Sequence, residues 1–354
     1  MSRICMWSLL LTIGLLFVVD NSTAFGQINF GQTGSSAEDK KTDKDKKNKG
    51  DDQDVNDTDG TSRGSPITYK YKAGMVFEAS QGSPCTNIIG TVPIPMDFRE
   101  QKVRVIEEIV PRNAKISYRN LREGGARQMV MKMRQLRPGQ QIEASVLLEV
   151  VRYSQQIPEK TDIYRIPKRT PREMRNYLHN SPYIEADSRK VRELVKKAVE
   201  GKENDWDKVN AIFQFVRDTV KYKEEMAEKP MRGALAAIRN QEGDCEDMCA
   251  LFIAMCRALE IPARLVRVPG HCYAEFYLWD DKDKGHWFPA QVAGDEPMGG
   301  ISDTRIILQK GDSFHLPESP REDSLYVKEL FTGSVKEGGT DPKFKFIQEV
   351  NGQQ

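Results

Sequence analysis

Several things are scarce in this chain of 354 residues, and each scarcity narrows what it does. Net charge is nearly absent: 53 Lys and Arg oppose 52 Asp and Glu, a formal +1. No global field draws the chain to nucleic acid or to acidic partners, and none is expected there. Histidine occurs four times, at 179, 271, 286 and 315, so one set in regular surroundings stands out. Long apolar runs are confined to Ile4 to Val19. No later segment is apolar enough to cross a bilayer, so no membrane partner is expected once the N-terminus is removed. Cysteine numbers six.

Residues 1–26 read as a secretory signal. Arg3 supplies a basic start, the apolar run follows, and Ser22 with Ala24, or Ala24 with Gly26, place small residues at a cleavage site. The competing reading is an uncleaved anchor, but the run from Ile4 to Val19 is shorter than the roughly 20 residues a span needs. The mature protein is therefore expected to be soluble and extracytoplasmic, periplasmic or secreted. Cys5 leaves with the signal. An odd set remains, Cys85, Cys245, Cys249, Cys256 and Cys272, so at least one thiol goes unpaired even where disulfides are permitted.

Residues 27–66 contain a lysine-rich then aspartate-rich stretch with almost nothing to bury, the composition of a solvated tether. Its aspartates lack the glycine and terminal glutamate of an EF-hand calcium loop. Over residues 67–160 the apolar period becomes two. Ile142, Ala144, Val146, Leu148 and Val150 share a face, as do Met129, Met131 and Met133, and as do Ala114, Ile116 and Tyr118. With Pro and Gly between the runs, this predicts an antiparallel β-sandwich. The methionine stripe reads as core rather than as a metal or partner surface.

From residue 171 to 310 the period becomes helical. One helix is predicted in "DSRKVRELVKKAVEG"; a second, capped by Asn204, buries Trp206, Val209, Ile212, Phe213, Val216 and Val220. A short helix near "MRGALAAIRN" leads to "GDCEDMCALFIAMCRALEIP". Here Asp244 is a cap, Asp247 lies at the third helical position, and the helix is apolar nearly all round. Cys245 begins that helix, where the dipole and free N–H groups favour a lowered thiol pKa and can stabilise an oxyanion. Cys249 and Cys256 read as core of the helix. Cys272 alternates with Ala274, Phe276 and Leu278 on an apolar strand face, leaving His271 with Tyr273, Glu275 and Tyr277 on the other. Residues 311–354 read as a C-terminal extension with short strands.

"GDCED" with its buried helix, "EIPARLVRV", "HCYAEFYL" and "HWFPAQ" together resemble the transglutaminase-like superfamily, a papain-like α+β thiol fold, over Pro171 to Pro297. The resemblance implies an N-terminal β-sandwich followed by an α+β domain that packs the cysteine helix against an antiparallel sheet. It makes Cys245 the nucleophile and His271 the general base. Four residues after Trp287, itself a candidate support, Gln291 stands where the family has aspartate, and an amide oxygen can orient a histidine. Asp295 is a reserve acid at the wrong offset. Tyr222 is either a second oxyanion donor or a packing tyrosine. Glu260 replaces a usual glycine and Tyr273 a usual tryptophan.

The implied activity is acyl transfer from protein or peptide amides through an acyl-cysteine, with hydrolysis favoured over cross-linking and no cofactor. One rival is a degenerate binding or scaffold module. Another is a zinc site of Cys245, Cys249, His271 and Cys272, opposed by the alternation that separates His271 from Cys272.

Overall fold

The structure, a computed structural model, describes residues 2–7 and 62–353 apart from Glu228. Most of the expected signal segment and nearly all of the tether lie outside the described residues.

The first domain is the expected sandwich. One sheet runs Ser2–Trp7, Leu330–Lys336, Cys85–Ile94, Arg127–Leu136, Ala114–Asn120; the other runs Lys343–Gln353, Arg63–Glu78, Gln141–Gln155, Gln101–Ile109. All of these neighbours pair antiparallel. Alternation supplies the core between the sheets. Ala144, Val146, Leu148 and Val150 meet Met129, Met131 and Met133, and all seven are buried. The methionine stripe is therefore core. The C-terminal strands do not form a separate extension. Leu330–Lys336 pairs with Cys85–Ile94, and Lys343–Gln353 pairs with Arg63–Glu78. Their apolar faces, Phe331, Val335, Phe344 and Phe346, belong to the sandwich core.

The second domain is α+β. Its helices are α1, Arg189–Ala198; α2, Asp205–Thr219; α3, Ala234–Asn240; and α4, Cys245–Ala258. The Asn204 side chain accepts from the Trp206 and Asp207 N–H groups and so fixes the start of α2. The antiparallel sheet runs Gly285–Ala290, His271–Trp279, Ala263–Val268, Gln309–Lys310. Every residue of α4 from Asp247 to Arg257 is buried between this sheet and the other helices. Trp206, Phe276 and Phe288 meet edge-on or tilted with ring centroids 5.0–5.6 Å apart at the centre of that core.

The opposite face of the sheet packs on the sandwich. Arg152, fully buried, donates to the carbonyls of Glu100, Tyr153, Asp303 and Arg305. Gln101 accepts from Ile307 N–H at 2.7 Å and donates to Ile307 O at 3.0 Å.

Glu260, after the end of α4, has φ 61°. That left-handed conformation explains why a glycine suits the position, since a side chain there costs about 1–2 kcal/mol. Glu260→Gly is therefore expected to stabilise the fold by about 0.5–1 kcal/mol after the glycine's extra unfolded-state entropy is subtracted. A urea titration checks this; an unchanged or lower midpoint contradicts it.

Candidate active site

The site is built on the start of α4. The Asp244 side chain caps the helix by accepting from Asp247 N–H at 3.0 Å. Asp247 turns back into the protein. Its carboxylate accepts from the backbone N–H of Arg232 at 2.8 Å and of Gly233 at 2.9 Å. The Arg232 guanidinium adds Nε at 3.0 Å and Nη2 at 2.7 Å. Gly243 makes room for this, because a Cβ there would lie 2.7 Å from Asp247 Cβ. The segment before α3 and the first turn of α4 are thereby tied together. Cys245 is the first helical residue, 7% exposed, with a backbone N–H that helical hydrogen bonding leaves free.

His271 opens its strand and Gln291 follows the end of Gly285–Ala290. His271 Nε2 and Gln291 Oε1 are 2.8 Å apart. An amide oxygen only accepts, so Nε2 carries a proton and Nδ1 is left to face the thiol. The Cys245 thiol lies close enough to His271 for each to act on the proton affinity of the other. Gln291 is 8% exposed and held closely, since a Cβ on Gly294 would approach its Cγ to 2.9 Å. Cys245, His271 and Gln291 thus form one continuous chain of side chains.

The expected separation of His271 from Cys272 does not keep them from a common neighbour, because both act on Cys245. Cys249 Sγ–H in turn donates to the Cys272 carbonyl at 3.7 Å. Among the described residues, no three His, Cys, Asp or Glu side chains have metal-holding geometry. Cys256 is buried in the helix core.

The helix N-terminus does not lower the thiol pKa as expected. The hydrogen bond with Cys272 and then burial push the Cys245 thiol up, against the opposing pull of His271. Burial works against the His271 imidazolium, but its hydrogen bond and charge interaction with Cys245, followed by the Gln291 hydrogen bond, raise it above its ordinary value.

Tyr222 is not a packing tyrosine. It is 47% exposed, on the short strand Lys221–Tyr222 that pairs in parallel with Glu242–Gly243 just before the cap. Burial first, then the charge of Cys245, raise its hydroxyl. Trp287 is not a support of the thiol. Its ring takes the Arg264 guanidinium at 3.9 Å and meets Tyr177 and Tyr277 at 5.4 and 5.2 Å. Asp295 is fully exposed and faces Arg217 at 3.9 Å, so the reserve acid plays no part.

Three neighbours of the site carry no local sequence signal. Asp303 and Arg305, paired with Arg305 Nε 2.9 Å from Asp303 Oδ2, act electrostatically on His271. Tyr326 donates its hydroxyl to Glu246, the residue after the nucleophile.

A buried thiol at a helix start, linked to a histidine that an amide oxygen orients, and set on a papain-like α+β core, defines a thiol-site domain. Residues 192–292 match the family model of the transglutaminase-like superfamily. The likeness extends beyond it to a crystal structure from Cytophaga hutchinsonii of a protein provisionally described as a cysteine protease. That structure is 18% identical, with a TM-score of 0.50, over 81% of this chain and 92% of that one. A protein from Parabacteroides distasonis, provisionally described as a protease, matches at 11% identity over 71% of this chain and 72% of that one, with a TM-score of 0.26. No curated protein matches.

Cys272→Ala removes the first cause of the raised thiol. Cys245 alkylation by iodoacetamide, followed across pH, is expected to reach half-maximal rate at a lower pH in this variant. A profile at unchanged or higher pH contradicts the assignment.

Proposed function

We propose that the chain is an exported thiol enzyme that hydrolyses amide bonds of proteins or peptides through an acyl-cysteine. The observation that carries this reading is the chain from Cys245 through His271 to Gln291, in which the 2.8 Å contact at Nε2 leaves Nδ1 free for the thiol.

His271 Nδ1 takes the proton from Cys245 Sγ as the sulfur attacks the amide carbonyl carbon. The tetrahedral oxyanion forms beside the free Cys245 N–H, with the Tyr222 hydroxyl as second donor. The imidazolium, held by Gln291 Oε1, then protonates the leaving nitrogen. The C–N bond breaks and a thioester remains. Water, deprotonated by the same imidazole, attacks the thioester, releases a carboxylic acid and restores the thiol. An amine in place of water gives cross-linking, which needs a second binding site for the acceptor; water needs none, and hydrolysis is the simpler use of these groups.

The raised thiol pKa and the amide in place of a carboxylate favour a second reading, a binding or scaffold module that keeps the fold without the reaction. Casein incubated with and without a labelled amine separates the readings. Hydrolysis is expected, and Cys245→Ala abolishes it. His271→Ala lowers kcat by about 10²–10⁴-fold, the usual worth of a general base. Gln291→Asp raises kcat at neutral pH, because a carboxylate holds the developing imidazolium more strongly. Amine incorporation without cleavage overturns hydrolysis; neither product, with no change in Cys245→Ala, supports the scaffold.

A further inference from the structure

One arginine beside the thiol, Arg267, has no carboxylate in hydrogen-bond or ion-pair contact among the described residues, and the more distant charge of Glu246 acts with it. On strand Ala263–Val268, Ala263 and Leu265 face α4, while Val266 and Val268 face the sandwich side. Arg267 follows the first set, and its cross-strand partner is Cys272, which meets Cys245. Its side chain is half-buried on the thiol's side of the sheet. Its guanidinium lies 4.6 Å from the centroid of the Tyr326 ring, and among the described residues it forms no ion pair or hydrogen bond. Nearby arginines differ. Arg257 grips both oxygens of Asp312 at 2.8 Å, and Arg264 holds Glu275.

The surroundings of Arg267 are preformed. Gln309 brackets Tyr326, donating to Leu325 O at 3.0 Å and accepting from Val327 N–H at 2.9 Å. Ser324 Oγ donates to Tyr326 O at 2.7 Å. The Tyr326 hydroxyl is committed to Glu246, so that acid takes its hydrogen bond from a neutral donor, and Arg267 acts on it through charge alone. A second buried hydroxyl, on Tyr71, has no partner among the described residues and feels the charge of Arg267. A half-buried planar fork of five N–H donors, held on an aromatic ring with no anion in contact with the fork, is built for a carboxylate.

We infer that Arg267, stacked on Tyr326, is a specificity residue that binds a substrate carboxylate next to the amide attacked by Cys245. This rests on the thiol-enzyme reading and adds to it the class of substrate: an acyl donor with an acidic side chain or a free C-terminal carboxylate close to the scissile bond. A carboxylate there gains a charge-assisted bidentate contact that a neutral group lacks.

Two alkylating reagents test this without knowledge of the natural substrate. Iodoacetate and iodoacetamide attack the same thiol, and only the first carries a carboxylate; mass spectrometry follows Cys245 in the full chain. The iodoacetate to iodoacetamide rate ratio is expected to exceed that of the urea-unfolded chain by about fivefold, the effect of one cation several ångströms away at intermediate dielectric. Arg267→Gln is expected to bring the ratio down to the unfolded value and Arg267→Lys to keep part of the excess, with circular dichroism confirming the fold. N-acetylglutamate α-amide and N-acetylglycine then separate the two carboxylate sources: the one that slows iodoacetamide labelling in the native chain, but not in Arg267→Gln, is the type bound. A native ratio equal to the unfolded one, a ratio unchanged in Arg267→Gln, or protection by neither compound overturns the inference while leaving the thiol enzyme standing. Failure of iodoacetamide itself to label native Cys245 overturns both.

Discussion

The position of the thiol depends on one buried carboxylate, Asp247. An ionised carboxylate inside a protein is costly unless donors surround it, and removing its partners leaves an uncompensated charge. Asp247 is supplied from a single short segment, by two backbone N–H groups and the guanidinium of Arg232 and Gly233. The same residue's own N–H is held by the Asp244 cap. The start of α4 therefore has nowhere to go. Beyond that turn the helix is buried on all sides, so it offers no wet face along which it could slide or roll. The nucleophile is a fixed point, and the histidine has to be brought to it.

That constraint explains what Gln291 does. His271 sits at the end of a strand, where the ladder no longer fixes its ring, and the amide oxygen at Nε2 supplies the missing restraint. The choice of an amide also suits the electrostatics. The hydrogen bond with Cys272 and then burial raise the Cys245 thiol, so the proposed reaction calls for a base that takes a proton in the transition state and returns it to the leaving nitrogen. A neutral acceptor at Nε2 orients the ring without trapping the proton as firmly as a carboxylate does. In the proposed reaction such a site holds the imidazolium less strongly than one with an aspartate and gives the proton up more readily.

What could be read in the sequence was what short-range geometry sets. The cap at Asp244, the apolar helix behind it, the alternating strand of His271 and the inward methionines all follow from periods and end signals within a dozen residues. Trp287 was open to the same reasoning, since alternation with the buried Phe288 already puts it on the far face from the helix. The direction of the Cys245 pKa was not. The helix end is a local feature, whereas Cys272 and the burial that outweigh it come from tertiary packing. The C-terminal strands were equally hidden, because their partners at Arg63–Glu78 and Cys85–Ile94 lie more than 200 residues away and no local pattern names a partner.

The same distinction separates what is general in this site from what is particular. Cys245, His271 and Gln291 all fall inside the span 192–292 that matches the superfamily model. The groups that surround them come largely from outside it. Asp303 and Arg305 act on His271 from a segment whose carbonyls are gripped by Arg152 of the sandwich. Tyr326 reaches the residue after the nucleophile from the chain's return to that sandwich. Lys310 lies between Glu100 of the first domain and Glu275 of the second, so parting the domains would leave buried charges unpaired. The sandwich is therefore a structural part of the site. The matched core supplies a thiol and a histidine; the walls around them are set largely by the rest of the chain, and on the proposed reading so is the choice of substrate.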